Sequence, residues 1–275
     1  MLNTAPILIT GLNGSLAPRV AQAARQRGYT VAGWDRSAVP PDTPAACHAF
    51  LAQLQPRAIL HLATGSVAWA TYLATYAAEQ GIAFLFTSTA MVFDHVPDGP
   101  HGVGDARTAQ DDYGRSKILS EDAVLTAHAN AMVARIGWQI DPDGIGNNML
   151  RALDDWQLRE GCVAASQTWR PACSFMTDTA IALLDLIEHP APGVHHLDSN
   201  AQEGHSFERI VAALQIQYQR PHWQIRVHSD YVHDQRLVGG PGRMPGLSER
   251  LRTLSSKGAA AGARDNAAHD HCSPP

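Results

Sequence analysis

The chain has 275 residues, 45% of them hydrophobic, and a formal net charge of −5. That length supplies ample core for one large domain or two small ones. No block of Lys and Arg is present, so no nucleic-acid partner is expected. No stretch approaches the ~20 apolar residues of a membrane span, and the N-terminus has neither the basic region nor the apolar run of a signal peptide. The four cysteines (Cys47, Cys162, Cys173, Cys272) are scattered. They read as reduced thiols of a cytoplasmic protein, with a single disulfide as the alternative.

In chain order, Ile7–Thr10 is predicted to be a buried strand and Ala17–Arg27 a helix capped by Gly28. Thr30–Asp35 reads as a strand, Pro40 to Pro44 as a loop, and Ala46–Gln55 as a short helix. Ala58–Ala63 (strand), Val67–Gln80 (helix) and Ile82–Ser88 (strand) follow. Residues 94–111 form a polar loop, then Asp112–His128 is helical and Ala131–Ile136 a strand. The alternation implies an α/β fold, a Rossmann-type doubly wound parallel sheet. Beyond residue 137 the pattern loosens. Asn147–Arg159, Asp178–Glu188 and Phe207–Gln217 read as helices, Val194–Asp198 and Trp223–His228 as strands. The expected organisation is a dinucleotide-binding core over 1–137 and a substrate-binding lobe over 138–257, which can return a strand or helix to the core. Residues 258–275 are expected to be a disordered tail.

Two motifs carry chemistry. Gly11-Leu12-Asn13-Gly14-Ser15-Leu16-Ala17 sits where a strand turns into a helix. Glycines there permit a tight turn and close backbone approach to a pyrophosphate at the helix N-terminus. Asp35, ending the next strand, would accept hydrogen bonds from ribose hydroxyls. Arg36 can instead pair with a 2′-phosphate or stack on adenine, so NAD and NADP both stay open. In Tyr113-Gly114-Arg115-Ser116-Lys117, the phenol and the ammonium are i and i+4 on one helix face. A phenol of pKa ~10 needs perturbation to move protons at neutral pH, and a nearby ammonium is expected to lower that value. Thr89 or Ser88 would give a hydroxyl to a substrate carbonyl. The fourteen histidines suggest no metal site. His195 and His196 should point to opposite faces of a strand, and His269, His271 and Cys272 fall in the tail. His228 and His233 flank a lobe loop and are read as structural. Trp69, Tyr72 and Tyr76 form a packing stripe.

These residues resemble the extended short-chain dehydrogenase/reductases, the NAD-dependent epimerase/dehydratase superfamily, and within it the dTDP-4-dehydrorhamnose reductases. Ser88-Thr89-Ala90-Met91-Val92-Phe93 is similar to the family's strand end. Tyr113 to Lys117 with Glu121 resembles its catalytic helix, Arg135-Ile136-Gly137-Trp138 its Arg-x-x-Trp, and Gly146-Asn147-Asn148 its Gly-Asn-Asn-Phe segment. Arg170-Pro171 and Asp178 resemble the start of its substrate lobe. The resemblance implies Thr89, Tyr113 and Lys117 as catalytic residues. It implies Gly11, Asn13, Gly14, Ser15, Leu16, Asp35, Arg36, Ala63, Thr64 and Gly65, with Tyr113 and Lys117, around NAD or NADP. Ser88, Met91, Trp138, Asn148 and Arg170 would meet the substrate, a nucleotide-activated sugar or similar polyhydroxylated carbonyl compound.

Three departures shape the expectation. Ala90 replaces the Asp usual in the reductases and matches sugar-nucleotide epimerases instead, so an epimerase with tightly held NAD is the alternative. Ala90 and Met91 also replace the Asp-Glu pair of 4,6-dehydratases, so dehydration is not expected. Only 18 residues, 64–81, join two strands that the family usually separates by more. The missing part commonly includes dimer-forming helix, so the usual dimer is in doubt. A non-catalytic nucleotide-binding regulatory subunit is the third reading.

Overall fold

The structure, a computed structural model, describes residues 5–93, 99–144, 146–240 and 244–255. The tail expected over 258–275 lies outside the described residues.

The first unit runs β1 (Ile7–Thr10), α1 (Leu16–Gln26), β2 (Val31–Gly33), α2 (Pro44–Leu54), β3 (Ala58–His61), α3 (Val67–Gln80) and β4 (Ala83–Thr89). A single 3-10 turn, Ala90–Phe93, leads toward α4 (Asp112–Ala127) and β5 (Met132–Ile136). The second half contains β6 (Trp138–Ile140), α5 (Met149–Glu160), β7 (Val163–Ser166), β8 (Trp169–Arg170), β9 (Cys173–Phe175), α6 (Met176–Glu188) and β10 (Gly193–Leu197). It ends with α7 (Phe207–Gln217), β11 (Ile225–His228), β12 (His233–Asp234), α8 (Leu247–Arg250) and α9 (Arg252–Ser255).

Six parallel strands form the central sheet in the order β2-β1-β3-β4-β5-β10. All four residues of β1 and of β3 are buried, as a sheet covered on both faces requires. On α1, Ala17, Val20, Ala21 and Ala24 recur at helical spacing and pack with Ala180, Leu183 and Ile187 of α6. The opposite face holds Trp69, Leu73 and Ala77 of α3 with Leu51 of α2 and Val124 of α4. Tyr76 of the predicted stripe donates to the Leu51 carbonyl at 3.0 Å, tying α3 to α2.

From β1 the chain first goes out to β2 and then returns to β3 on β1's other side. The loops leaving β1 and β3 therefore diverge and open a crevice at their carboxyl ends, the usual ligand position in such sheets.

The lobe is built on short parallel pairs, β6·β9, β7·β11 and β8·β12, around Trp156, Phe207 and Trp223. Residues 176–197 leave it: α6 packs on α1, and β10 joins the sheet as its sixth strand beside β5. Asp198 locks this return. Its buried carboxylate accepts N–H bonds from Cys173, Asn200 and Leu237 at 2.8–3.0 Å. Burial pushes its pKa up to about 7 against those bonds. His195 and His196 do face opposite ways: His195 meets the Ala191 carbonyl, His196 the Val238 carbonyl and Arg135.

Two boundaries moved for physical reasons. Pro44, read as loop, opens α2, because the first helical turn needs no proline N–H. The predicted strand Thr30–Asp35 shrinks to Val31–Gly33 at the sheet edge, where one neighbour alone supports it. No helix among the described residues is long and apolar enough to cross a membrane.

Candidate active site

The crevice between β1 and β3 continues into a cleft of about 910 Å³ running from Asp35 past the carboxyl ends of β4 and β5 to Trp169 of the lobe. At one end the backbone forms a tight turn into α1 that a phosphate would fit. Gly11 has φ +83°, and a Cβ on it would stand 3.0 Å from the Ala63 backbone. Only glycine lets the two diverging loops lie this close. Gly14 N–H closes the turn onto the Gly11 carbonyl at 2.8 Å. No side chain caps α1 at Ser15, which leaves its first N–H groups for an anion. With Asp35 and Thr64 on the same wall, these residues fit the pyrophosphate and ribose of a dinucleotide.

Gly14→Val should therefore abolish NAD(P) binding with the fold intact. A Cβ at Gly14 already lies 3.2 Å from the Gly11 carbonyl, and the branched methyls would fill the phosphate cradle. Cofactor titration by fluorescence, with a thermal melt as folding control, decides this; unchanged affinity would remove the assignment.

Asp35 and Arg36 diverge. Asp35 Oδ1 accepts the Ser37 N–H at 2.8 Å. The Arg36 guanidinium crosses to the Thr64 carbonyl and lies 4.9 Å from the Trp69 ring centroid. Behind it, Thr10 Oγ1 accepts N–H bonds from Leu62 and Ala63 at 3.1 Å, so its own proton goes to His61 Nδ1 at 2.9 Å. Burial, with Lys117 and Arg36 adding, lowers the His61 pKa to about 3, so the ring stays neutral.

At the middle of the cleft, Asp111 caps α4 by accepting the Gly114 N–H at 2.8 Å. This places Tyr113 in the first turn and Lys117 one turn on. Gly114 is obligatory: a Cβ there would lie 2.4 Å from Ala109 Cβ and 2.8 Å from the Met91 carbonyl. The missing side chain lets α4 press on the turn after β4, which brings Tyr113 and Thr89 onto the same cleft wall. Thr89 Oγ1 accepts the Met91 N–H at 3.1 Å.

Lys117 behaves differently from the sequence expectation. Its Nζ donates to the Thr87 carbonyl at 2.8 Å and sits 4.6 Å from the Phe86 ring centroid, but 6.0 Å from that of Tyr113. Tyr113 consequently stands above the ordinary phenol value: burial raises it and the neighbouring Thr89 side chain only partly offsets this. Burial also lowers Lys117 itself to about 8, with Glu121 pulling the other way.

A lysine with a depressed folded pKa costs stability whenever it is protonated. That cost is full below pH ~8 and disappears as pH rises toward ~10.5. Lys117→Met should thus raise the unfolding free energy at pH 7 by about 1–2 kcal/mol after its lost carbonyl bond is discounted, and should gain nothing near pH 10.5. A variant less stable at pH 7 than at pH 10.5, relative to the parent, would contradict this.

The far end of the cleft is aromatic. Trp138 and Trp169 are stacked with centroids 6.3 Å apart, and the Trp169 indole N–H donates to Gln235 Oε1 at 2.9 Å. Ser88 and Met91 also line the cleft, whereas three of the sequence-assigned residues do not. Asn148 is buried as the cap of α5, accepting the Arg151 N–H and donating to the Gly144 carbonyl; Asn147 takes the wall position instead. Arg170 is exposed, because alternation along β8 turns Trp169 and Pro171 inward and Arg170 out. Gly65 lies behind the wall, where a Cβ would meet the Trp69 ring at 2.5 Å. Gln139, Asn147, Trp169, Met176 and Gln235 escaped the sequence reading. Only Asn147 had a signal, as neighbour of Asn148; Gln235 is brought in by β8·β12 pairing, which has no local signature.

The Gly11–Gly14 turn, Asp35 and the side chains of Thr89, Tyr113 and Lys117 thus share one cleft. The chain belongs to the RmlD substrate binding domain family. The family's profile matches residues 5–222. The spore coat polysaccharide biosynthesis protein SpsK of Bacillus subtilis is 24% identical over 213 residues, 70% of this chain and 73% of that protein. A dTDP-4-dehydrorhamnose reductase of Mycolicibacterium smegmatis is 29% identical over 147 residues, 52% of this chain and 44% of that protein. Among solved structures, the dTDP-4-dehydrorhamnose reductase of Bacillus anthracis in complex with NADP superposes with TM-score 0.75 at 16% identity, over 91% of this chain and 98% of that one.

Proposed function

We propose that the chain is an NAD(P)-dependent reductase of a keto sugar nucleotide or a similar polyhydroxylated carbonyl compound. The observation that carries this reading is the convergence of Thr89, Tyr113 and Lys117 on the cleft that also holds the uncapped α1 N-terminus. When bound, the nicotinamide cofactor supplies the hydride. Thr89 and Tyr113 together hold the substrate carbonyl oxygen, and Tyr113 gives it the phenolic proton. Lys117 keeps two N–H bonds beyond that to Thr87, which serve a ribose hydroxyl and the charge left on the phenolate. Trp138 and Trp169 present flat apolar faces to a sugar or base. NAD(P)H oxidation upon addition of a 4-keto sugar nucleotide is the expected result; inertness toward every such nucleotide would overturn the reading.

Ala90, on the cleft wall where reductases resembling this chain carry Asp, supports epimerisation as a second reading. Cofactor found by mass spectrometry after native purification, with no net NAD(P)H consumption, would favour it. Thr89, Tyr113 and Lys117 standing together on the cleft wall weigh against a non-catalytic regulatory role.

Cofactor choice depends on opposed charges. Asp35 repels a 2′-phosphate, and Arg36 attracts one only by leaving the Thr64 carbonyl and Trp69. Discrimination of about 1–2 kcal/mol is expected. Arg36→Ala should weaken NADP more than NAD, and Asp35→Ala the reverse. Equal effects of Arg36→Ala on both dissociation constants would mean that Arg36 only stacks.

A further inference from the structure

The geometry points to Gln139 as a residue that positions the cofactor, its side-chain carbonyl accepting an N–H of the nicotinamide carboxamide. This rests on the cofactor reading above and assigns a role that none of the resemblances supplies.

Gln139 is the middle residue of β6. Its neighbours Trp138 and Ile140 both turn into the lobe core, so strand alternation turns Gln139 to the opposite face. There it lines the cleft with Ile136 and Gly137 at the end of β5, beside Thr89 of β4. Trp138 and Trp169, packed on the lobe core, line the same cleft.

The orientation of the amide is fixed chemically. Nε2 lies 3.0 Å from the Gly137 carbonyl, which can only accept, so the NH2 group must face it. That leaves Oε1 as an acceptor. It is buried, on a side chain 8% exposed, and has no hydrogen-bond partner among the described residues. Ser88 Oγ on the same cleft, 3% exposed, is likewise unpartnered. Leaving a buried acceptor unpaired is costly, and such groups mark places where a ligand supplies the missing donor. The nicotinamide carboxamide is a donor of this kind: its two N–H bonds lie in the ring's neighbourhood, and one bond to Oε1 would fix which ring face meets Thr89 and Tyr113.

The test compares NAD(P) with its acetylpyridine analogue, which has a methyl ketone in place of the carboxamide and so lacks the N–H. Dissociation constants are measured by fluorescence titration for the parent chain and for Gln139→Met, a variant of similar length without the acceptor. The parent should prefer NAD(P) by roughly 5- to 10-fold. Gln139→Met should lose that preference while binding the analogue as the parent does, which also shows that the variant is folded. Equal weakening of both nucleotides, or of neither, would overturn the assignment and leave a substrate hydroxyl as the partner. Failure of the parent chain to bind either nucleotide would overturn the cofactor reading itself, and the role of Gln139 with it.

Discussion

Replacing Tyr113 by Phe is expected to lower kcat for carbonyl reduction by about 10²–10⁴-fold while leaving the NAD(P)H dissociation constant nearly unchanged. The variant keeps the ring, 6.0 Å from Lys117 Nζ, and removes only the hydroxyl. On the same wall Lys117 Nζ is held at the Thr87 carbonyl, 6.0 Å from the Tyr113 ring centroid, and Asp35 lies with the Gly11–Gly14 turn at the end of the cleft. Stopped-flow measurement of a single turnover separates this chemical loss from cofactor release. A variant as fast as the parent would remove Tyr113 from the mechanism.

The largest effect on stability should come from Glu121. It is fully buried and accepts from Arg135 Nε and Nη2 at 3.0 and 2.8 Å, and from Arg107 at 3.1 Å. Arg135 is itself buried on β5, with its guanidinium 5.1 Å from the Phe93 ring centroid. Its other neighbour, His196, is pushed down to about 4, chiefly by burial, and so offers no charge. Glu121→Ala would strand a guanidinium between α4 and β5 and should cost about 3–5 kcal/mol in urea unfolding. The double variant Glu121→Leu/Arg135→Met should recover most of that loss, because it removes both buried charges. A cost under about 1 kcal/mol for Glu121→Ala would show that the pair acts like an exposed one.

These two residues also show what was readable in advance. Glu121 was recognised only as part of a resemblance. Its partner Arg135 lies on another element, and no spacing rule links them. The Gly11–Gly14 turn and the helix that carries Tyr113 and Lys117 are legible because each is local: glycines at a strand end, and two side chains one turn apart. Asn148 was misread because a helix cap and a ligand-binding amide have the same sequence appearance. Arg170 was misread because a two-residue strand is too short for its alternation to show. The position of β10 in the main sheet depends on Asp198 reaching backbone groups of three separate segments. Likewise, the Lys117 contact with the Thr87 carbonyl arises from the packing of α4 on β4, which helical spacing does not encode.

Hydride transfer in this cleft to a carbonyl carbon is tested by supplying NAD(P)H deuterated at the transferable position together with a 4-keto sugar nucleotide, and weighing the sugar product. The expected product carries one deuterium, formed with equimolar oxidised cofactor, and is missing in Tyr113→Phe. A bound cofactor that is never oxidised, with the sugar returned free of deuterium, would contradict it.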